Sequence, residues 1–165
     1  MKGKGEGNDS KYVLPEKIDG VVGKVRLRGE SIVTLNGSFD LLHVGHLTII
    51  EEAKGQGDRL IVALNTDRSI RAYKGDRRPI VPLARRLRMV AALSQVDFVT
   101  HFDEEDPREL LARIRPDVHV NGSEYGADCI EADTVKKGGG RVHIVSLVPG
   151  LSTSALIKRI QSLHS

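Results

Sequence analysis

The sequence predicts an α/β fold in which five parallel strands form one sheet with helices on both faces. Three observations predict it. Short apolar runs alternate along the chain with segments of helical periodicity, as in repeated strand–helix units. The run Arg59-Leu-Ile-Val-Ala-Leu64 is almost continuously apolar, which is typical of a strand covered on both faces. At 165 residues the chain fits one domain that buries about two thirds of its unfolded surface.

The N-terminal part of the chain leads into the first strand–helix unit. Residues 1–12 are Gly-rich and polar, and we expect a disordered tail. Apolar residues at helical spacing predict an amphipathic segment at 13–30, packed on a main domain at 31–165. The first strand is predicted at Ser31–Leu35. The helix after it runs from Val44 to about Lys54, where glycines end it.

The remaining elements continue the alternation, with right-handed crossovers between strands. Strands are predicted at 59–64, 97–100, 118–120 and 141–145, and helices at 82–94, 103–114, 128–137 and 155–163. The basic segment from residue 68 through Pro79 is expected to be loop plus a short helix. The acidic residues at 103–106 are interpreted as helix caps rather than catalysts.

Composition excludes several classes of protein. Apolar content of 39% and charged content of 28% are ordinary for a soluble globular domain. The longest apolar runs are far shorter than a membrane span, and the N-terminus lacks the apolar core of a secretory signal. Cys129 is the only cysteine, which excludes an internal disulfide and a cysteine-based metal cage. We therefore expect a cytoplasmic protein that does not associate with a membrane.

A net charge of +3 and a pI near 9.1 point to anionic partners. The basic residues cluster in one region: Arg68, Arg71, Lys74, Arg77, Arg78, Arg85, Arg86 and Arg88. Nucleic-acid binding is one interpretation. However, the few aromatic residues do not interleave the cluster in a way that suggests base stacking, so nucleic acid is not expected as a partner. A solvated helix face is an equally good interpretation for most of these arginines, and a site for small phosphorylated ligands explains the remainder better than nucleic acid does.

The stretch from Gly37 to His46 carries the strongest chemical signal. A strand, a glycine-bearing turn and a helix N-terminus form an anion site, because free N–H groups and the helix dipole face the ligand. It is neither the dinucleotide fingerprint nor a phosphate loop. His43 and His46 share one helical face and can contact one phosphate chain, and Gly45 allows close approach. Metal ligation by the pair is the competing interpretation, but no third His or Cys lies nearby.

Several polar segments that are distant in sequence are predicted to lie along one edge of the sheet. Ligands of parallel α/β sheets bind beyond the carboxyl ends of the strands. That edge collects the segments Asn36–His46, Asn65–Asp67, Asn121–Gly122 and the residues before Ser152.

Gly37-Ser-Phe-Asp-Leu-Leu-His-Val-Gly-His46 resembles the signature of the cytidylyltransferase-like nucleotidyltransferases, a superfamily with a Rossmann-like three-layer α/β/α fold. Leu151-Ser-Thr-Ser154 resembles its second signature, and the resemblance covers residues 31 to about 163. It is closest to the D-glycero-D-manno-heptose 1-phosphate adenylyltransferase domain of ADP-heptose synthases. The supporting stretches are Val62–Asp67, Lys74–Pro79, Pro82-Leu83 with Arg86, and Val120–Tyr125.

Two other interpretations fit the sequence less well. Glycerol-3-phosphate cytidylyltransferases, which use CTP, typically carry Arg-Thr-Glu-Gly where this chain has Leu147-Val-Pro-Gly150. A catalytically silent nucleotide- or nucleic-acid-binding module would not need both signatures and the lysine. Departures from the heptose pattern are Ser38, where cysteine is common, and Asn121, where lysine is common. The second departure can alter contacts to the sugar phosphate or the base.

The resemblance implies that AMP passes from ATP to the heptose phosphate by in-line attack on the α-phosphorus, giving ADP-heptose for lipopolysaccharide and releasing pyrophosphate. It implies catalytic roles for His43 and His46 on the phosphates, and for Lys74 in a flexible basic loop that closes over them. Tyr73 and Arg78 fit that loop or an ordinary surface equally well. The implied nucleotide-binding residues are Asn36, Gly37, Ser38, Phe39, Gly45, Arg86, Gly122, Ser152, Thr153 and Ser154, and the implied substrate-binding residues are Asn65, Asp67 and Asn121.

The remaining expectations concern metal and partners. Asp40 either holds the turn by capping the helix, which we favour, or lies near the metal. Mg²⁺ is expected to arrive with ATP and to be held mainly by phosphates, without a protein cage. The resemblance also implies a homodimer. Since this sequence contains no sugar-kinase half, a separate kinase is expected to supply the sugar phosphate.

Overall fold

The computed structural model describes residues 11–126, 128–146 and 149–163. The strands are β1 (Ile32–Gly37), β2 (Arg59–Asn65), β3 (Phe98–Phe102), β4 (Val118–Gly122) and β5 (Arg141–Val145). The α-helices are α1 (Ile18–Leu27), α2 (Val44–Lys54), α3 (Asp67–Lys74), α4 (Leu83–Ala91), α5 (Arg108–Ile114), α6 (Ala132–Lys137) and α7 (Thr153–Ser162). These bounds agree with most of the predicted elements to within about three residues.

The sheet has the strand order β3-β2-β1-β4-β5, and each neighbouring pair is parallel. The chain builds β2 and β3 on one side of β1, then crosses to build β4 and β5 on the other. The order therefore reverses between β1 and β4, which pair through Leu35 and Val120. Ligands of open parallel sheets bind beyond the carboxyl ends of the strands at such a reversal.

The strands bury both faces because their apolar side chains alternate between two cores. Leu60, Val62 and Leu64 of β2 join a core with α2 and α4, whereas Ile61 and Ala63 join a core with α1 and α5. This alternation explains the nearly continuous apolar run in the sequence. The predicted five-stranded, three-layer α/β/α fold is confirmed.

The chain is ordered against the domain earlier than the sequence suggested. Lys11 and Tyr12 were predicted to belong to the tail, but Tyr12 forms a parallel bridge with Val99, and its hydroxyl lies 3.0 Å from His101 Nδ1. β3 is an edge strand, so its free backbone groups can pair with the arriving segment. Residues 1–10 of the predicted tail lie outside the described residues. The predicted amphipathic segment contains α1, which contributes to the second core.

Three details differ from prediction. The basic segment forms a short helix and a loop, as predicted, but Lys74 is the last residue of the helix α3 rather than part of the loop. No cap was predicted for this helix. In the structure the side chain of Thr66 caps it by accepting a hydrogen bond from Ser69 N. α5 begins at Arg108 instead of Asp103. α6 begins at Ala132 instead of Asp128, because the four residues before it form turns beside the candidate site. Across the described chain, no helix combines the length and apolar character needed to cross a membrane.

Candidate active site

A cavity of about 960 Å³ lies at the carboxyl edge of the sheet, over β1 and β4. Its wall includes most of the residues that the sequence singled out: Asn36, Gly37, Ser38, Phe39, His43, Gly45, His46, Asn65, Lys74, Asn121, Gly122, Ser152, Thr153 and Ser154. Among the described residues, Asp40, Asp67 and Arg86 are predicted site residues that do not line it. The topology has brought together segments that are distant in sequence.

The two histidines lie at the N-terminus of α2, directly after β1. His43 is the N-cap, and its ring centroid lies 3.9 Å from that of His46. His46 Nδ1 accepts a hydrogen bond from His43 N at 3.3 Å. In a neutral His46 ring the proton is therefore assigned to Nε2, which can donate to an anion. His43 Nδ1 is buried and has no hydrogen-bond partner among the described residues.

Burial favours the neutral form of both rings at pH 7. Burial, followed by the nearby charges of His43 and Lys74, lowers the pKa of His46 to about 4. Burial also lowers the pKa of His43 below its ordinary value of 6.5. An anion that binds against these rings would favour the charged form and raise both pKa values.

Gly45 is required by the packing of the first histidine. A Cβ at position 45 would lie 2.9 Å from His43 Cε1 and 3.4 Å from Leu151 Cβ. The missing side chain at position 45 therefore leaves room for the His43 ring over the first turn of α2. This packing role is separate from the close approach of a ligand that the sequence predicted.

Phe39 occupies the turn between β1 and α2 with φ of 46°, in the left-handed region that a bulky residue rarely adopts. Its buried ring contacts His46, with the centroids 5.3 Å apart. A Cβ at Gly37 would lie 3.1 Å from this ring. The glycine therefore makes room for the aromatic ring that packs on His46.

Lys74 extends toward the turn after β1 from the C-terminus of α3. Its Nζ donates to Ser38 Oγ at 3.3 Å and lies 5.4 Å from the centre of the Tyr73 ring. Burial and the charge of Arg78 lower the pKa of Lys74. In the described part of the chain it makes no ion pair, so its charge is available to a ligand.

Asp40 neither caps α2 nor lies in the cavity wall. Its buried carboxylate accepts hydrogen bonds from the backbone N–H groups of Ile80 and Val81, at 2.9 and 2.8 Å, and from Arg78 Nε at 2.7 Å. Burial alone would raise the pKa of Asp40, but these three donors outweigh it and lower the pKa. Asp40 is therefore an ionised anchor for the loop that precedes α4.

Arg86 is also a structural residue, contrary to its predicted contact with the nucleotide. It is fully buried, and its guanidinium donates to the carbonyls of Val81, Ser38 and Asn65 at 2.6–2.9 Å. Its remaining hydrogen bond goes to Asp67 Oδ1 at 2.7 Å. These bonds join the turn after β1, the end of β2 and the start of α4.

Within the described residues, Asp67 is bound through one carboxylate oxygen only. Its Oδ1 accepts hydrogen bonds from Arg86 and from Leu83 N at the first turn of α4, and the side chain is 30% exposed. Asp67 does not line the cavity, so its contact with sugar hydroxyls stays a prediction. Asn65 does line the cavity, although its amide donates to Ser69 Oγ at 3.0 Å.

The N-terminus of α7 forms another wall. Ser152 is the N-cap, and its Oγ accepts from Ala155 N at 3.1 Å, which leaves the hydroxyl proton free to donate. Thr153 and Ser154 follow in the first turn, where backbone N–H groups lack helical partners. This wall can bind an anion.

A polar cluster follows β4. Asn121 and Glu131 are both buried, and Asn121 Nδ2 donates to Glu131 Oε2 at 3.4 Å. Burial and a hydrogen bond to Glu131 raise the pKa of the Cys129 thiol, which lines the same part of the cavity. The cluster gives this end of the cavity acceptor groups rather than cations.

Sequence reasoning missed two segments of the wall. They follow β3 and β4 and comprise Glu105–Pro107 and Glu124, Tyr125 and Asp128–Glu131. Their position beyond the carboxyl ends of strands could have identified them, whereas the acids after β3 were interpreted only as helix caps. Tyr73 and Arg78, for which no choice was made between loop and surface, also line the cavity. Within the described residues, no group of three or more His, Cys, Asp or Glu side chains is arranged to hold a metal.

Curated relatives align with most of the chain. A protein from Methylobacillus flagellatus named Bifunctional protein HldE is 49% identical over 138 residues, and one of the same name from Koribacter versatilis is 46% identical over 151 residues. The alignments cover 83% and 91% of this chain but 28% and 31% of those proteins. The chain therefore spans about a third of the length of these relatives.

A solved structure and a family model agree with these similarities. The lipopolysaccharide core biosynthesis protein from Thermoplasma volcanium superposes with a TM-score of 0.59 at 30% identity, covering 73% of this chain and 98% of that protein. The model of the family described as cytidylyltransferase-like matches residues 34–159, which include both signatures. The chain belongs to the cytidylyltransferase-like family.

Proposed function

We propose that this nucleotidyltransferase moves AMP from ATP to D-glycero-D-manno-heptose 1-phosphate. The observation that carries the proposal is the pair of neutral histidines at the N-terminus of α2, in a cavity that also presents Lys74 and the N-terminus of α7. This arrangement suits a chain of phosphates. The similarity to proteins named HldE and to a lipopolysaccharide core biosynthesis protein supports a heptose phosphate as the acceptor.

The reaction is a direct displacement. A phosphate oxygen of the sugar 1-phosphate forms a bond to the α-phosphorus of ATP. The bond from that phosphorus to the oxygen bridging to the β-phosphate breaks, and pyrophosphate leaves with the electron pair. Since no covalent enzyme intermediate forms, the protein contributes positioning and stabilisation of negative charge.

The histidines, the lysine and the α7 turn divide this task. His43 and His46 donate hydrogen bonds to the α- and β-phosphates, and Lys74 offsets the charge that builds on the oxygens. The hydroxyls and free N–H groups of Ser152–Ser154 hold the end of the triphosphate.

The polar residues around β1 and β4 hold the nucleoside and the sugar. Backbone groups of Asn36–Phe39 and Gly122 frame the base, with Gly45 leaving room for the phosphates. Asn65 and Asn121 contact hydroxyl groups. Asn121 is oriented by its hydrogen bond to Glu131.

Mg²⁺ enters with ATP in this proposal. Phosphate oxygens and water supply most of its ligands in this proposal.

The proposal has consequences for partners. A sugar 1-phosphate acceptor requires a phosphorylating reaction upstream, which we assign to a sugar kinase. We also propose a homodimer, and we place the reaction in the cytoplasm, where ATP is supplied.

The test is pyrophosphate release with Mg²⁺ and each combination of ATP or CTP with heptose 1-phosphate or glycerol 3-phosphate. We expect turnover with ATP and heptose 1-phosphate. Turnover only with CTP and glycerol 3-phosphate would replace this proposal with a cytidylyltransferase. No turnover with any pair would reject nucleotidyl transfer to these acceptors.

A further inference from the structure

The guanidinium of Arg78 forms part of the cavity wall and is largely unpaired. Its side chain is 15% exposed and lines the cavity. A guanidinium carries five N–H donors. Within the described residues its one hydrogen bond runs from Nε to Asp40, and the buried Nη2 has no partner. Buried unpaired donors are costly, so a ligand with several acceptor oxygens would satisfy this group.

Asp40 fixes the orientation of this guanidinium. The carboxylate is completely buried and is itself held by the backbone N–H groups of Ile80 and Val81. Arg78 is therefore held through Nε, and among the described residues its two Nη groups make no hydrogen bond. A planar fork of this kind matches two oxygens of one phosphate.

The local charge also favours an anion. The Asp40 carboxylate offsets the charge of Arg78, but Lys74 has no carboxylate partner in the described part of the chain. Lys74 and Arg78 line the same cavity, and the charge of Arg78 lowers the pKa of Lys74, an effect that Asp40 and Glu124 partly offset. A phosphate dianion between them would relieve this repulsion.

The sheet order indicates which phosphate this is. Lys74 and Arg78 follow β2, whereas the anion-binding turn at Ser152 follows β5. The histidines follow β1, between these two sides. In-line displacement needs the attacking and leaving oxygens on opposite sides of the α-phosphorus. We propose that Arg78, positioned by Asp40, binds the phosphate of the acceptor sugar, an inference that rests on the proposed nucleotidyl transfer.

The experiment compares four variants with the wild-type chain: Arg78→Ala, Arg78→Lys, Asp40→Asn and, as the matched control, Arg77→Ala. Arg77 is exposed and makes no hydrogen bond or ion pair within the described residues. Pyrophosphate release gives KM separately for ATP and for heptose 1-phosphate. Thermal melting identifies variants that fail to fold.

For Arg78→Ala we expect KM for the sugar phosphate to rise about 10- to 100-fold, the loss expected for charge-assisted hydrogen bonds. KM for ATP should stay within about twofold of the wild-type value, since the sugar phosphate and the end of the ATP triphosphate lie on opposite sides of the histidines in this proposal. Arg78→Lys should give a smaller rise in KM for the sugar phosphate, because it keeps the charge and loses the fork. Asp40→Asn should act in the same direction through the orientation of Arg78, and Arg77→Ala should match wild type.

Several results would overturn the inference while leaving the proposed function intact. They are an unchanged KM for the sugar phosphate in folded Arg78→Ala, an increase confined to ATP, or equal increases for both substrates. If Asp40→Asn does not fold, the two Arg78 variants decide alone. If wild type shows no turnover, the proposed function fails. Calorimetric titration with inorganic phosphate then tests Arg78 itself, and equal affinity for wild type and Arg78→Ala would reject the site.

Discussion

His46 is the residue whose chemistry the fold controls most closely. Its ring lies between Phe39 and His43, with centroids 5.3 and 3.9 Å away, and its Nδ1 is occupied by the His43 backbone N–H. Burial keeps the ring neutral and the hydrogen bond selects the tautomer, so Nε2–H can donate to a phosphate throughout the physiological pH range.

This account predicts two titrations of His46. In the free protein the ring should titrate near pH 4, as the lowered pKa indicates. Saturating pyrophosphate should raise that pKa, because the added negative charge favours the imidazolium. The measurement is an NMR titration of the ring C–H signals, assigned with His46→Ala. A free-state pKa near 6.5, or no response to pyrophosphate, would contradict the account.

Single residues also show what sequence can indicate. The His-x-Gly-His spacing, directly after a strand, was enough to predict an anion site at a helix N-terminus. The sequence did not show that Gly45 makes room for the His43 ring, because that depends on the orientation of the ring. The orientation of Asp40 toward the loop before α4 was likewise hidden, since its partners lie about forty residues away.

At the scale of elements, buried polar side chains attach α4 to the sheet. Arg86 of α4 bonds to the carbonyls of Ser38, after β1, and Asn65, at the end of β2. Asp67 closes the arrangement at the first turn of α4. Ser38 and Asn65 line the cavity, so its geometry depends on Arg86, which does not line it.

We predict that Arg86→Lys lowers the free energy of unfolding by about 2–4 kcal/mol, since an ammonium cannot keep bonds to four separate groups in the geometry of the guanidinium. The neighbouring Arg85→Lys is the control, because Arg85 is exposed and should change stability by less than about 0.5 kcal/mol. Urea unfolding measures both. Equal effects of the two substitutions would show that the buried bonds do not stabilise the domain.

Strands and most helices could be predicted because their signals are local: apolar runs, periodic apolar faces, and glycines at the ends. The start of α6 could not be, because Cys129 and Glu131 are drawn into the cavity wall by contacts with β4. The family resemblance implied ligand-binding roles for Arg86 and Asp67. The ion pair between them, in which Arg86 is buried, has no local sequence signal.

At the scale of the whole molecule, the central strands enclose a histidine that must stay neutral. His119 of β4 is fully buried, and its Nδ1 lies 2.8 Å from Thr34 Oγ1 of β1. Burial lowers its pKa from 6.5 to about 4. Between these two values the unfolded chain binds more protons than the folded chain, so the free energy of unfolding rises with pH.

The free energy of unfolding should therefore be greatest above about pH 6.5 and fall toward pH 4, by at most about 1.4 kcal/mol per pH unit for His119. His43 and His46 add to the slope, since their pKa values are also lowered. His119→Gln should reduce the slope by about one proton. Urea unfolding at several pH values measures it. A slope identical to wild type would show that His119 does not contribute.

Topology explains why so much of the site could be predicted. The rule that ligands bind beyond the carboxyl ends of strands gathered four separated segments, and most of their residues line one cavity. The same rule, applied after β3, would have added Glu105–Pro107. The cavity wall also includes Glu131, whose burial the sequence did not indicate.

The central claim is that the neutral histidine pair catalyses AMP transfer to a sugar 1-phosphate. The most direct measurement is the rate at which ADP-heptose and pyrophosphate form from ATP and heptose 1-phosphate, for wild type and His46→Ala side by side. We predict equal amounts of the two products from wild type, and a rate at least about 100-fold lower from a folded His46→Ala variant. No product from wild type, or equal rates from both proteins, would contradict the claim.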